Sequence, residues 1–447
     1  MNIIFLLTWL LAPIIWYFML RASDLSIFKI SIPSVLIAFI ILYQYLGIPI
    51  LYFQLDEYRA SEVTDHFLMI KVFLFMSLGI TSLIFGFILG RKIFGPIHSF
   101  KLVYLENSKE KILIFLNCFL FFICLFVLYS YINKIGFNNL VLTSLFGLVS
   151  DVSDSSNDLL RSNMTNSFDG KYHWYHLFMV EILFLSTMIF FVMRLQKKGF
   201  IRKSLSILSM LTISFALLMS GQKAPITELL FGIGMVLIIL NSNSIIHPKV
   251  IFIAAITLFI TVVPLFYFFT DSSNILEAIT SVISRTLTGQ LQPVYVYLEY
   301  FPSNRDFLLG ATMPNPGGLM PFEPINITQE IMAWYNPQEA QGVVGSMPTI
   351  FWVEAYINFG ILGLIFLPML IGLFIYGVNI LILMAQNNSI TLASYVWLIL
   401  FYKDLSSSFF SDFIISIYLF FTMLIFLLFS LIIGFGKFQL KARNIKT

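Results

Sequence analysis

Long apolar runs recur along this chain from its first residues to about residue 435, more than a fold standing wholly in water can bury. Runs of about 18 or more apolar residues match, as helix, the roughly 30 Å hydrocarbon core of a bilayer. Strand-length alternation is absent, so helices rather than a closed barrel must satisfy the backbone in lipid. About eleven such segments are predicted, at 2–20, 31–53, 67–89, 112–132, 173–193, 204–220, 225–241, 250–270, 359–384, 390–403 and 410–435. Composition agrees: the 447 residues are 59% hydrophobic and 11% charged, whereas soluble domains run near half apolar and a quarter charged. Mean hydropathy is +0.90. The expected fold class is therefore all-α, a polytopic integral membrane protein. Met1 and Asn2 offer no basic stretch and no small-residue cleavage pattern follows, so the first run is expected to remain as a span.

Charge orients these spans. Lys and Arg gather in alternate connections, at Arg91, Lys92, Lys101, Lys109 and Lys111, again at Arg194 to Lys203, and again at Lys437 to Lys446. The positive-inside rule makes those connections cytoplasmic. The intervening ones carry Asp56, Glu57, Glu62 and Asp65, or Asp151, Asp154, Asp158 and Asp169, and face outward. An odd number of spans, with the N-terminus outside and the C-terminus cytoplasmic, satisfies every assignment. The net charge of +3 averages a basic inner rim with an acidic outer face, and no nucleic-acid partner is expected. Three regions follow: an N-terminal bundle of about eight helices over 1–270, a large extracytoplasmic loop over 271–347 with an amphipathic helix, and C-terminal helices with a basic tail over 348–447.

In an acidic outer face the cations carry the information: Arg161, Lys171, Lys223, Arg285 and Arg305. Each is either a snorkelling anchor to lipid headgroups or a ligand for an anion. Lys223 lies in Ser220-Gly-Gln-Lys-Ala-Pro225, where Gly221 and Pro225 separate one span from the next. The following helix would start near Pro225, with its free N–H groups beside Lys223, an arrangement that suits an anion. On a continuous helix Arg285, Thr288, Gln292 and Glu299 would share one face, with Ile279, Ile283, Leu287 and Leu291 opposite. That pattern reads as an interfacial helix or a structural lid. Glu354, among Phe351, Trp352, Tyr356 and Phe359, is either an acid or base set by desolvation or the partner of an outer arginine. Glu181 is costly inside a span, so it should face protein or an aqueous cavity.

Metal chemistry is not expected. His173 and His176 stand three apart, without a Cys, Asp or Glu at ligand spacing, although a general-base role for one of them stays open. Cys118 and Cys124 are six apart in one span, on different helix faces, so neither a disulfide nor a metal site is expected. There is no phosphate loop, no dinucleotide fingerprint, no Gly-x-Ser-x-Gly and no Asp-x-Asp pair, so no cofactor is implied. Gly86-Phe-Ile-Leu-Gly90 is a helix-packing pattern.

The C-terminal half resembles the oligosaccharide repeat-unit polymerases of bacterial surface polysaccharide assembly, the Wzy type. The matching stretches are Ser220-Gly-Gln-Lys223, Arg285, Gly310-Ala-Thr-Met-Pro314, Met320-Pro321, Gly345-Ser-Met-Pro348 and Glu354-Ala-Tyr-Ile-Asn-Phe-Gly-Ile-Leu-Gly363. The N-terminal half matches only as hydropathy. Lys223 stands where family members often carry arginine, and a lysine lacks the bidentate fork. The resemblance implies a fold like that of polyprenyl-donor membrane glycosyltransferases (GT-C type) in a bacterial inner membrane. It also implies polymerisation of undecaprenyl-diphosphate-linked oligosaccharide, with a flippase and a chain-length regulator as partners beside membrane lipid. Lys223, Arg285, Arg161 and Arg305 would then hold the diphosphate, and Glu354 or Glu299 would take the acceptor proton. Tyr295, Tyr297, Trp334 and Tyr335 either stack on sugar rings or pack at the interface. A ligase, delivering the glycan to a lipid A core, shares the donor chemistry. A flippase or transporter would instead show short loops, paired broken helices and mid-membrane charges.

Overall fold

The computed structural model describes residues 2–59, 65–97, 100, 102–136, 168, 170–219, 224–269, 274–337 and 345–433. Among these residues there is no strand. The helices are α1 (Asn2–Ala22), α2 (Ile32–Ile40), α3 (Gly47–Tyr52), α4 (His66–Phe94), α5 (Asn107–Ile135), α6 (Tyr172–His176), α7 (Leu183–Gln196), α8 (Phe200–Met219) and α9 (Ala224–Asn241). They continue with α10 (Pro248–Phe269), α11 (Ile275–Leu287), α12 (Gln292–Tyr300), α13 (Ile327–Tyr335), α14 (Phe351–Met384), α15 (Ser389–Lys403), α16 (Ser411–Ile414) and α17 (Ile417–Ile432). Wider π-helical turns at Ile41–Tyr45 and Leu177–Ile182 join α2 towards α3 and α6 to α7.

Among the described residues, eight helical stretches are long and apolar enough to cross a membrane: Asn2–Ala22, Ile32–Tyr52, His66–Phe94, Asn107–Ile135, Tyr172–Gln196, Phe200–Met219, Phe351–Met384 and Ser411–Ile432. The remaining expected spans fall on α9, α10 and α15. Every predicted apolar run thus coils as helix, and the chain is a multi-pass membrane protein.

The chain folds into two compact units. The first holds Met1–Ile97, His247–Asn379 and Phe401–Ser416. Its helices α4 and α14 cross at small residues. A methyl group on Gly86 would stand 2.1 Å from the Met369 carbonyl oxygen, and one on Gly372 would stand 2.2 Å from that of Leu83. Gly90 faces the Tyr376 ring in the same way. This is the work expected of Gly86 and Gly90, because helices in lipid gain most by backbone approach.

Helix α14 breaks at the expected point of return to the membrane. Phe359 leaves helical geometry, and Gly360 takes φ 62° and ψ −147°, a combination essentially confined to glycine. Two carbonyls freed by the break are capped by the incoming loop: Leu308 N–H donates to Ile357 at 2.9 Å and Leu309 N–H to Asn358 at 3.0 Å. A helix end without such partners would leave buried acceptors unpaired.

The second unit holds His98–Ile246, Ile380–Leu400 and Ile417–Thr447. Polar side chains join its helices from inside: Asn117 Nδ2 donates to the Ser186 carbonyl at 3.0 Å, and Thr187 Oγ1 to that of Ser209 at 3.4 Å. Glu110, at the start of α5, pairs with Lys197 and Arg202, each at 2.7 Å. Cys118 and Cys124 are free thiols.

Candidate functional site in the long loop

From Asn274 onward, where the loop is described, it begins as helix. Asn274 caps α11, its side chain accepting from the Glu277 N–H at 2.9 Å. Such a cap satisfies one of the helix's four orphan donors. Helix α11 is pressed onto the membrane-spanning bundle of the first unit at a glycine, since a methyl on Gly47 would stand 1.8 Å from the Leu287 carbonyl oxygen. Gln44, fully buried on the π-helical turn, donates to the carbonyls of Gln290 at 3.0 Å and Ser406 at 3.3 Å.

The strongest fastening of α11 is Asp56. Its carboxylate accepts from Ser284 Oγ at 2.8 and 3.1 Å, from Thr288 Oγ1, and from the Tyr58 N–H at 3.0 Å. Arg59 lies 3.5 Å away and also donates to Ser284 Oγ at 2.5 Å. Burial opposes the charge on Asp56, but the Thr288, Ser284 and Tyr58 hydrogen bonds and the Arg59 guanidinium outweigh it and hold its carboxyl below the usual carboxylate value.

This corrects the continuous amphipathic face. α11 ends at Leu287 and α12 begins at Gln292, so Arg285 and Glu299 lie on separate helices. Thr288 is buried and Ile283 is 49% exposed. The reason is electrostatic: four helical residues apart, Ser284 and Thr288 share a face, and a buried carboxylate turns that face inward. Arg285, one position round from Ser284, is turned out. It is exposed, and among the described residues it has no carboxylate partner. Glu299 is likewise exposed.

Arg305 is held differently. It forms an ion pair with Glu330, whose other oxygen accepts from Tyr300 Oη at 2.9 Å. Burial, together with the Glu330 carboxylate, raises the Tyr300 phenol above its ordinary pKa. Tyr300 meets Trp334 edge-on, with ring centroids 5.1 Å apart. Trp334 is 40% exposed, and Tyr335 Oη accepts from Gln292 Nε2 at 3.0 Å. Tyr295 and Tyr297 are buried, and Tyr297 Oη donates to the Met347 carbonyl at 3.1 Å. Neither offers a ring face to a solute.

Glu354 is fully buried. It accepts from Thr312 Oγ1 at 3.0 Å and from the backbone N–H groups of Phe410 at 2.5 Å and Ser411 at 3.2 Å. Asn358, one turn along, accepts from Gly310 N–H at 2.9 Å and donates to Thr312 Oγ1 at 2.8 Å. Together they fasten the loop around Gly310 and the turn before α16 to the first segment of α14. The outer arginine foreseen as the partner of Glu354 is not among these contacts. Beside the break lies an apolar cleft of about 470 Å³ lined by Phe307, Leu309, Phe359, Leu362, Phe366 and Leu370, among others.

Arg161 and Lys223 lie outside the described residues. His176 and Glu181 belong to the second unit, with His176 Nε2 3.5 Å from Glu181 and Trp397 Nε1 donating to Glu181 at 2.8 Å. Among the described residues no cluster of three His, Cys, Asp or Glu side chains is placed to hold a metal. Sequence reasoning missed Asp56 and Arg59 as partners of α11; the hydroxyl pair Ser284 and Thr288 at helical spacing was the available signal. No family model, no curated protein and no solved structure matches this chain.

Proposed function

We propose that the chain is a membrane glycosyltransferase that joins undecaprenyl-diphosphate-linked oligosaccharide repeat units into a surface polysaccharide. It would work in an eleven-span, GT-C-like arrangement at the outer face of a bacterial inner membrane. The observation that carries this proposal is Arg285, an exposed guanidinium free of any carboxylate among the described residues, on a helix fastened by Asp56 and Gly47. A cation whose charge is not already spent, on a fixed support, suits an anionic group that gains charge during reaction.

The chemistry assigns each group a step. The bond from the anomeric carbon to the diphosphate oxygen breaks, and the electron pair leaves with the diphosphate, whose charge Arg285 offsets. An acceptor hydroxyl forms the new glycosidic bond and gives up its proton to a carboxylate. Glu299 suits that role better than Glu354, since it is exposed, whereas the oxygens of Glu354 are engaged by Thr312, Phe410 and Ser411. No nucleotide sugar is required. The resemblance of the C-terminal half to repeat-unit polymerases supports the same assignment.

The test is the purified chain in nanodiscs with a lipid-linked repeat unit and a chelator. A ladder of lipid-linked oligomers is expected. Transbilayer movement of the lipid without lengthening would overturn the proposal in favour of transport.

A further inference from the structure

Helix α13 carries its buried face out to an exposed aromatic ring. Ile327 and Ile331, four apart, are buried, and Trp334, three residues beyond Ile331 on the same stripe, emerges at the end of the helix 40% exposed. One helical turn separates Trp334 from Glu330, whose carboxylate is paired with Arg305. Its ring is not loose. The edge-on contact with Tyr300 fixes one side, Tyr300 Oη is hydrogen-bonded to Glu330, and Glu330 is paired with Arg305. Tyr300 is itself only 8% exposed, so its ring and hydroxyl are supported from the core. Aromatic face, carboxylate and guanidinium therefore form one interlocked, partly exposed set. Both Glu330 and Arg305 keep about a third of their side chains in solvent.

From this set we infer a saccharide subsite, centred on Trp334, Glu330 and Arg305, for a pyranose ring of the glycan rather than for the diphosphate. The inference rests on the proposed function for its biological substrate, and on the geometry alone for its chemistry. The axial C–H groups of a pyranose make one face apolar, and the rigid Trp334 ring offers the matching surface at low entropy cost. The hydroxyls at the ring edge are both donors and acceptors. The free lone pairs of Glu330 accept from them, and the remaining guanidinium N–H groups of Arg305 donate to them. Arg305 is thereby reassigned: its charge is met by Glu330, so it presents directional hydrogen bonds where Arg285 presents net charge. Glu330 and Arg305 fix which hydroxyls fit, making this subsite a place where specificity for one repeat unit over another is set.

The experiment uses the full-length detergent-solubilised chain, fluorescently labelled, on an array of lipid-free pyranose oligosaccharides, neutral and acidic. Lipid-free probes carry no diphosphate, so their binding reads the subsite whether or not the chain polymerises anything. The wild-type chain is expected to bind a subset of the array. Trp334→Ala should weaken that binding tenfold or more, whereas Trp334→Phe, which keeps an aromatic face, should stay within threefold. Glu330→Gln should change which glycans are bound. Absence of wild-type binding across the array overturns the inference, as does equal binding by Trp334→Ala at unchanged thermal stability. If Trp334→Ala proves unstable, the comparison of Trp334→Phe with Glu330→Gln decides: unaltered selectivity in both overturns it.

Discussion

Arg285 and Arg305 sit in one loop and would be interchangeable in any list of cations, yet the fold treats them in opposite ways. Around Arg285 the neighbouring hydroxyls of Ser284 and Thr288 are consumed by Asp56, and the guanidinium points out without a carboxylate partner among the described residues. Around Arg305 the carboxylate of Glu330 is already in place, and the aromatic rings of Tyr300 and Trp334 stand beside it. A cation's role depends on what has already neutralised it. On the proposed reading, the arginine without a carboxylate partner among the described residues acts electrostatically, while the paired one beside an exposed ring serves recognition.

Removing the support under Arg285 should have the largest effect on the fold. Asp56→Ala leaves Ser284, Thr288 and Arg59 without their shared acceptor, at a cost of about 3 kcal/mol. The melting transition in detergent reads this directly. Because the Asp56 carboxyl is held below its usual value, its contribution is fully present above the unfolded value of about 4. That contribution is lost as pH falls through the lower folded value. The stability gap between wild type and Asp56→Ala should therefore be constant near neutrality and close below about pH 4; a gap that widens on acidification would remove Asp56 as the anchor. The smaller effect lies on the other side of the comparison. Glu330→Gln breaks a partly exposed pair and should cost under about 1 kcal/mol, measured by the same transition, while making Arg305 electrostatically more like Arg285.

Much of the bundle is legible in the sequence because the bilayer imposes its own ruler. Every apolar run forms helix, Gly86 and Gly90 meet α14 and Tyr376 respectively, and Gly360 marks the break. The site was legible by residue type but not by partner. Asp56 and Ser284 are more than 200 residues apart in sequence, and no periodicity carries a contact of that separation. Aromatic neighbours mark Glu354 in the sequence, but its partners Thr312, Phe410 and Ser411 come from two distant segments. Tyr295 and Trp334 are both amphipathic aromatics, and only packing tells that one is core and the other is exposed.

The central claim is that Arg285 supplies free positive charge to a lipid-linked diphosphate. The surface glycan of cells carrying Arg285→Ala tests it most directly, with the amount of inserted protein measured alongside. Loss of one preorganised charge contact of this kind lowers turnover roughly 10²–10³-fold. The account predicts single repeat units on the surface, with wild-type levels of protein in the membrane. Full-length polymer at wild-type abundance from that variant would contradict it.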